Sequence, residues 1–395
     1  MNDSEKDRRS IAFFVYPVLR FPRNNREYSL TNELLSRGWR VKWLLPHSGK
    51  NEGVPVEDHI LNYKDMDFRG RTYLLPTYLG FILWAMGIKH LWISGWSLRS
   101  DKEIYWLVRI MGLFDIDIIY DTIDPKCLIE VADNKELASS DAIKKSQKIM
   151  NNIYSLCRRV LCVTPEMKSL IVEKGAIESN LFVARWGGDL NVFNWSNIKG
   201  DFRKRYNISE TVVLLGWLGS MSEFKGIREL LLPLIQNILK TREIHFLIGG
   251  DGPLFNEVEE WVKSKHLSTL TLIGRLHYRD AAEFTSSLDA YVVTTDPTSE
   301  YGRAICPVKC YDAVAMGIPL VTTRTPATEH LKQISENVYL CEYDMHSFEE
   351  AINHIVANID NIRNSRRHDV PAMPSHKIVS SEIADMLEGL ASDRL

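Results

Sequence analysis

The chain has few cysteines, little net charge and no internal repeat. Six cysteines in 395 residues are too few for a disulfide scaffold. They stand at 127, 157, 162, 306, 310 and 341, with no CxxC pair and no histidine at zinc-finger spacing. Reduced thiols of a cytoplasmic protein are therefore expected, and a metal module is not. A net charge of −3 argues against a dedicated nucleic-acid binder, which carries a strongly basic face. No tandem repeat or low-complexity segment is found, and the ordinary apolar fraction of 45% excludes a fibrous, coiled-coil or disordered chain. The start, MNDSEKDRRS, is polar, and the apolar run 11–19 is short and soon meets Arg20, unlike a signal peptide. Long apolar runs are missing with one exception, the uncharged seventeen residues TYLLPTYLGFILWAMGI at 72–88. Pro76 and Thr77 interrupt it, and it falls short of the ~20 residues a membrane span needs. A buried or half-buried helix is expected there, and contact with a membrane surface is the second reading, helped by Trp84, Trp92 and Trp96.

What the chain does have is an ordinary globular balance, 45% apolar and 25% charged residues. Single cores stop growing near ~250–300 residues, so this length suggests two domains. Residues 11–16 form an apolar run suited to a buried parallel strand, a helical pattern ends at Arg37–Gly38, and 41–45 is a second strand. The alternation continues with strands at 90–94, 117–120, 159–163 and 181–184. Helical patterns cover 103–111, 133–154 and 166–174 between them. Near 185–201 the sequence RWGGDLNVFNWSNIKGD shows no period, and the boundary is placed at about residue 195. Strands then recur at 211–218, 244–248, 270–273, 290–294 and 319–322. Helices are expected at 227–239, 256–264, 281–287, 307–316 and 347–356. Repeated βα units mean parallel sheets, so the expected class is α/β with domains at 1–195 and 196–375. An amphipathic helix within 376–395, with Ile378, Val379, Ile383, Leu387 and Leu390 on one face, is expected to return to the first domain.

Ligands of open parallel sheets bind beyond the carboxyl ends of the strands. Three such loops share glycine and a cation next to a helix start. The first runs from Leu218, Gly219 and Ser220 to Lys225-Gly226. A lysine at a helix N-terminus is mildly disfavoured unless an anion lies between; a surface lysine beside a turn glycine is the plain alternative. The second, Gly249-Gly250-Asp251-Gly252-Pro253, makes a tight turn and is weak by itself. The third runs from Glu300 through Arg303 and Pro307 to Lys309 and Asp312. Pro307 suits the first helical position. Lys309 and Asp312 share a helical face, as a surface pair or as the phosphate and ribose partners of a nucleotide.

The order KG, GGDGP and PVKCYDAVAMGIPLVTT resembles the C-terminal half of GT-B glycosyltransferases of family 4. Trp186-Gly187-Gly188-Asp189 through Phe193 resembles that family's "nGvDxxxF". Tyr120-Asp121-Thr122-Ile123-Asp124 looks like the "YDxxDd" of a polysaccharide-type subgroup. Ala304 stands where the family has the first of two glutamates, and Asp312 stands at the second. The loop after the first strand offers Arg20, Arg23, Asn24, Asn25 and Arg26 in place of the usual glycine pair.

The resemblance implies two Rossmann-like, doubly wound domains facing across a cleft. It implies transfer of a sugar, with retention, from a UDP- or GDP-sugar to a hydroxyl of a saccharide or lipid-linked saccharide. No cofactor beyond the donor, no metal and no nucleic acid is implied. The setting would be the cytoplasm or the inner face of the membrane. Lys225 would offset the leaving diphosphate, with Arg303 or Lys309 beside it and Gly219, Ser220, Gly250 and Pro307 lining the donor site. Asp312 would hold the ribose, and the backbone at 274–277, including Arg275 and Leu276, would meet the base. Glu300 would stand in for the missing glutamate. Asp121 and Asp124 would face the transferred sugar or the acceptor, or be ordinary turn aspartates. The rival readings are an inverting transferase, a sugar-nucleotide epimerase, or a silent scaffold, which Ala304 favours and the retained cations oppose.

Overall fold

A computed structural model describes residues 9–14, 26–46, 60–63, 74–94, 101–123, 125–198, 201–240, 244–365 and 373–392. The run SIAFF makes β1 (Ser10–Phe14) and is buried throughout, as a strand covered on both faces must be. It lies inside a seven-stranded sheet with β2 (Arg40–Pro46), β3 (Ile60–Tyr63), β4 (His90–Ser94), β5 (Asp117–Asp121), β6 (Arg159–Cys162) and β7 (Leu181–Val183). The order is β3-β2-β1-β4-β5-β6-β7, and every pairing is parallel.

The second sheet repeats the plan with β8 (Val213–Ser220), β9 (Ile244–Asp251), β10 (Leu270–Gly274), β11 (Ala290–Val293), β12 (Leu320–Thr323) and β13 (Val338–Cys341). Its order, β10-β9-β8-β11-β12-β13, is again parallel throughout. Both sheets wind outward from their first strand in two directions, the doubly wound Rossmann order, and the switch point of the second lies between β8 and β11.

Contacts divide the chain into one unit of Met1–Val131, Lys135–Arg185 and His376–Leu395, and another of Ala132–Asn134 and Trp186–Ser375. The division falls at Arg185/Trp186, before position 195. The reason is packing: Phe193 is buried in a core of the second unit, and Trp186, Val192 and Trp195 pack against it. Gly188 N–H also donates to Pro374 O at 2.9 Å.

The last helix, His376–Ser392, lies in the first unit. Val379, Ile383, Leu387 and Leu390 are buried with Leu30 and Leu34 of the helix Arg26–Ser36. Each such side chain contributes roughly 1.5–3 kcal/mol, so this helix is part of the first fold. In the second unit, Asp289 is fully buried just before β11. It accepts from Arg203 Nη2 at 2.5 Å and Arg363 Nη2 at 2.7 Å, which ties the helices Phe202–Arg205 and Ile359–Ser365 to the strand starts. Burial raises its pKa, but the two arginines outweigh that and hold it below the ordinary value.

Some expectations change. The stretch 133–154 is not one helix. It is Lys126–Asp133, a 3-10 turn Lys135–Ser139 and Asp141–Leu156, because Ser140 adopts an extended conformation and caps the last piece by accepting from Ile143 N–H. Two short strands, β3 and β13, escape a periodicity reading because four residues carry no clear period. Residues 72–88 yield the helix Leu74–Ala85 with Leu79 and Leu83 buried, while Phe81 and Trp84 are exposed. No helix of the described residues is long and apolar enough to cross a membrane. All six cysteines are buried, and none of them forms a disulfide.

Candidate functional site

At the carboxyl end of β8 the chain runs unusually close to its neighbour. Gly219 pairs with Gly250 and Ser220 with Asp251. Gly250 has φ +131, and a Cβ there would collide with the Gly219 carbonyl oxygen. Met221 N–H donates to Asp251 O at 2.8 Å, and Leu254 N–H to Met221 O at 2.9 Å. The GGDGP loop is thus a backbone clamp on the Lys225 loop. Gly250 earns its place by sterics in the fold, whatever else passes near it.

Ser222 precedes a single 3-10 turn, Glu223–Lys225, without a side-chain cap hydrogen bond, and the chain turns at Gly226 in a left-handed conformation (φ 62, ψ 34). A Cβ on Gly226 would strike the Tyr343 ring. A π-turn, Ile227–Leu231, then leads into the helix Leu232–Ile238. Lys225 therefore sits before the helix rather than within it. It is half-buried, and its Nζ lies 4.6 Å from the centre of the Phe224 ring.

The third loop joins this one. Asp296 N–H donates to Phe224 O at 2.8 Å. Phe224 meets Tyr301 edge-on, with centroids 5.2 Å apart. Ser299 caps a short helix, Glu300–Ala304, by accepting from Gly302 N–H. Arg303 is in this helix, exposed, and donates to Pro297 O at 3.2 Å. Glu300 is exposed on its first turn, and Ala304 is buried. Pro307 is the residue that precedes the helix Val308–Ala315, one position earlier than expected, and its ψ of 136 keeps it outside. The ends of β8 and β9 with Gly219, Ser220 and Gly250, the Lys225 turn, and the segment leading into the helix with Glu300 and Arg303 are thus bonded to one another beside the switch point.

Lys309 and Asp312 lie on the first turns of the helix Val308–Ala315, with Nζ to Oδ2 at 3.4 Å. Asp312 is only 1% exposed. Burial pushes its carboxyl up to about 6, Lys309 opposes the shift, and Asp189 adds to it. Asp189 is buried, accepts from Tyr278 Oη at 3.3 Å and from Asn191 N–H at 3.1 Å. Arg275 and Leu276 follow β10, the edge strand, which β9 separates from β8. Arg275 is exposed, and Leu276 packs on the core.

The first unit departs from expectation. Asp121 ends β5 and is fully buried, and both its oxygens accept from Arg26 Nη1, at 3.0 and 3.1 Å. Arg26 Nη2 donates to Ala184 O at 2.7 Å. Asp121 is neither a turn aspartate nor an open carboxylate; its charge is spent on a buried pair that joins the first helix to β5. Asp124 lies outside the described residues, as do Arg20, Arg23, Asn24, Asn25 and Trp96.

Sequence reading missed the hydroxyls. Ser222 Oγ, Thr294 Oγ1 and Thr295 Oγ1 are buried with no hydrogen-bond partner. Ser222 sits in the Lys225 loop, and Thr294 and Thr295 follow β11 next to Asp296. Such groups are costly unless something accepts from them. Their signal in sequence was only that they follow strands. Asp189 was visible in a motif, yet nothing marked it as the neighbour of Asp312. Among the described residues no cluster of three His, Cys, Asp or Glu could hold a metal ion.

Two Rossmann sheets of this order in one chain define the GT-B class. The structure of sucrose-phosphate synthase from Thermosynechococcus elongatus matches with a TM-score of 0.74, covering 97% of this chain and 99% of that one at 14% identity. HepE of Anabaena, solved with UDP, matches with a TM-score of 0.64 over 96% of this chain and 99% of that one, at 13% identity. Those likenesses establish the fold. Residues 212–358, all within the second unit, match the family model described as "Glycosyl transferases group 1". The O-antigen biosynthesis glycosyltransferase WclY of Escherichia coli is 27% identical over 131 residues, 33% of this chain and 34% of that protein. The match thus spans about a third of the length of that curated relative.

Proposed function

We propose that the protein moves a sugar from a UDP- or GDP-sugar to a hydroxyl of a saccharide or lipid-linked saccharide, with retention, in polysaccharide or glycoconjugate synthesis. One observation carries this reading. Three glycine-bearing loops are bonded together beside the switch point of the second sheet, and they present Lys225 and three buried hydroxyls without hydrogen-bond partners. That is the place and the chemistry for a diphosphate.

In the reaction, the bond between the anomeric carbon and the diphosphate oxygen breaks. A bond to the acceptor oxygen forms on the same face, and the acceptor's proton passes to the departing diphosphate. Negative charge grows on the diphosphate, so fixed cations and donors aimed at it lower the barrier. Lys225 is the first such group, with Arg303 and Lys309 as further cations. Ser222 Oγ, Thr294 Oγ1 and Thr295 Oγ1 gain acceptors when phosphate oxygens arrive. Asp312, mostly ionised at neutral pH with its pKa near 6, accepts from the ribose hydroxyls. The backbone at 274–277 meets the base, and Glu300, one helical turn before Ala304, faces the sugar. The group 1 match of the second unit and the UDP bound in the HepE structure support this reading. The test is a panel of nucleotide-sugars incubated with the protein, with the released anomer followed by NMR. Slow hydrolysis of one donor with retained configuration is expected. Hydrolysis with inversion excludes retention, and binding and hydrolysis of none excludes the transferase.

A further inference from the structure

The Lys225 turn belongs to a network of charges. Glu223 and Lys225 are the first and last residues of one 3-10 turn. Gly226 then reverses the chain, and the π-turn Ile227–Leu231 that follows carries Arg228. The reversal brings the Arg228 guanidinium back to Glu223, whose Oε1 accepts from Nη1. The same guanidinium reaches Glu257, on the first turn of the helix Phe255–Lys265. Arg228 Nε and Nη2 donate to the two Glu257 oxygens, each at 2.6 Å.

A lone surface ion pair contributes little, because solvent screens it and two long side chains must be ordered. This network differs in geometry. The guanidinium is a planar, rigid fork, so its bidentate bond to Glu257 aims the remaining Nη1 at Glu223. These bonds hold the Glu257 carboxyl below its ordinary pKa. Glu257 is itself well anchored. Its neighbour Val258 is buried, and Leu254 N–H, just before the helix, donates to Met221 O at 2.9 Å.

The balance of charge says what the network does. Lys225 and Arg228 match Glu223 and Glu257; without Arg228, two carboxylates stand against one lysine. The Glu223 carboxylate, two residues from Lys225, would then be released. A carboxylate free at that place attracts the lysine ammonium and repels an anion that the lysine would otherwise gather.

We propose that Arg228 is a positioning residue of the Lys225 turn. It holds the Glu223 carboxylate, with Glu257 as its anchor, and so keeps that charge from pairing with Lys225 and from repelling a diphosphate. The diphosphate part rests on the transferase reading; the Lys225 part does not.

The test uses the full chain with Arg228→Ala, with Glu223→Gln and with both. The two side chains are 42% and 32% exposed, so the melting temperature should move by no more than about 4 °C. Affinity for UDP and GDP, read by isothermal titration, should fall about tenfold in Arg228→Ala, and by less at high salt. Adding Glu223→Gln should return it to within about threefold of the unaltered chain. Arg228→Lys, which keeps the charge and loses the fork, should lie between. If Arg228→Ala does not fold, Arg228→Gln takes its place.

A second measurement needs no nucleotide. Trace acetylation at fixed pH, read at Lys225 by peptide mass spectrometry, follows the unprotonated amine. A released carboxylate raises a lysine pKa. Labelling of Lys225 should therefore slow about threefold or more in Arg228→Ala and recover when Glu223→Gln is added. Three results would overturn the proposal. One is equal labelling of Lys225 in every protein. Another is equal nucleotide affinity in Arg228→Ala and the unaltered chain. The third is an affinity loss that Glu223→Gln leaves in place, which marks a tether and not a charge effect. If the unaltered chain binds neither nucleotide, the transferase reading fails, and the labelling of Lys225 alone decides for or against the role of Arg228.

Discussion

The two units share one strand order over six strands, with a seventh at the edge of the first sheet, and treat the charges at their strand ends differently. In the first, the charges at the carboxyl end of β5 are withdrawn: Arg26 and Asp121 are 2% and 0% exposed and bonded to each other. In the second, Lys225, Arg303 and Lys309 remain half-buried or exposed, and the hydroxyls of Ser222, Thr294 and Thr295 lack hydrogen-bond partners. The first strand end keeps its charges inside the fold, and the second keeps cations at or near the surface, where the proposed donor site lies. Sheet topology therefore says where chemistry can occur, and the pairing of the polar groups says whether it is kept available.

The largest effect that separates the units is expected from Arg26→Ala. It leaves Asp121 charged and buried, which costs about 3–5 kcal/mol. Denaturation should show the first unit losing this stability while nucleotide binding by the second persists. Gly250→Ala is the mirror experiment. Its Cβ meets the Gly219 carbonyl, so the second unit should lose about 3 kcal/mol or more and the nucleotide site with it. A loss of nucleotide binding in Arg26→Ala, with the second unit still folded, would erase the contrast.

Titration of Asp312 gives a smaller and signed effect. Its folded pKa, about 6, lies above the ordinary 3.8, so the native state holds the proton more tightly. The stability this provides is complete below about pH 4 and is lost as pH rises through 6, by up to ~3 kcal/mol. Asp312→Asn should flatten that slope in urea melts of the second unit. Affinity for UDP should run the other way, rising through pH 6 as the carboxylate forms. Smallest of all is Arg303→Ala. Its side chain is exposed and donates to the Pro297 carbonyl, so the change should alter stability by less than about 0.5 kcal/mol, and a larger loss would show that it supports the loop.

Much of the architecture was legible because strand and helix repeat with different periods, and buried strands such as β1 and β4 are unbroken apolar runs. Lys225-Gly226, GGDGP and Pro307–Asp312 were legible as loops after strands. What stayed hidden depended on long-range packing. Asp121 looked open because its partner Arg26 is distant in sequence. Ser222, Thr294 and Thr295 looked like any loop hydroxyls, and their lack of partners exists only in the fold. Asp189 reaches Asp312 only once Trp186 and Phe193 are seated in the second core.

The central claim is that the strand end of the second unit binds a nucleoside diphosphate through Lys225. Isothermal titration of UDP and of GDP into the protein and into Lys225→Ala tests it most directly. The account predicts binding of at least one of the two, weakened tenfold or more in a variant that still folds. Equal affinity in both proteins, or no heat with either nucleotide, would contradict it.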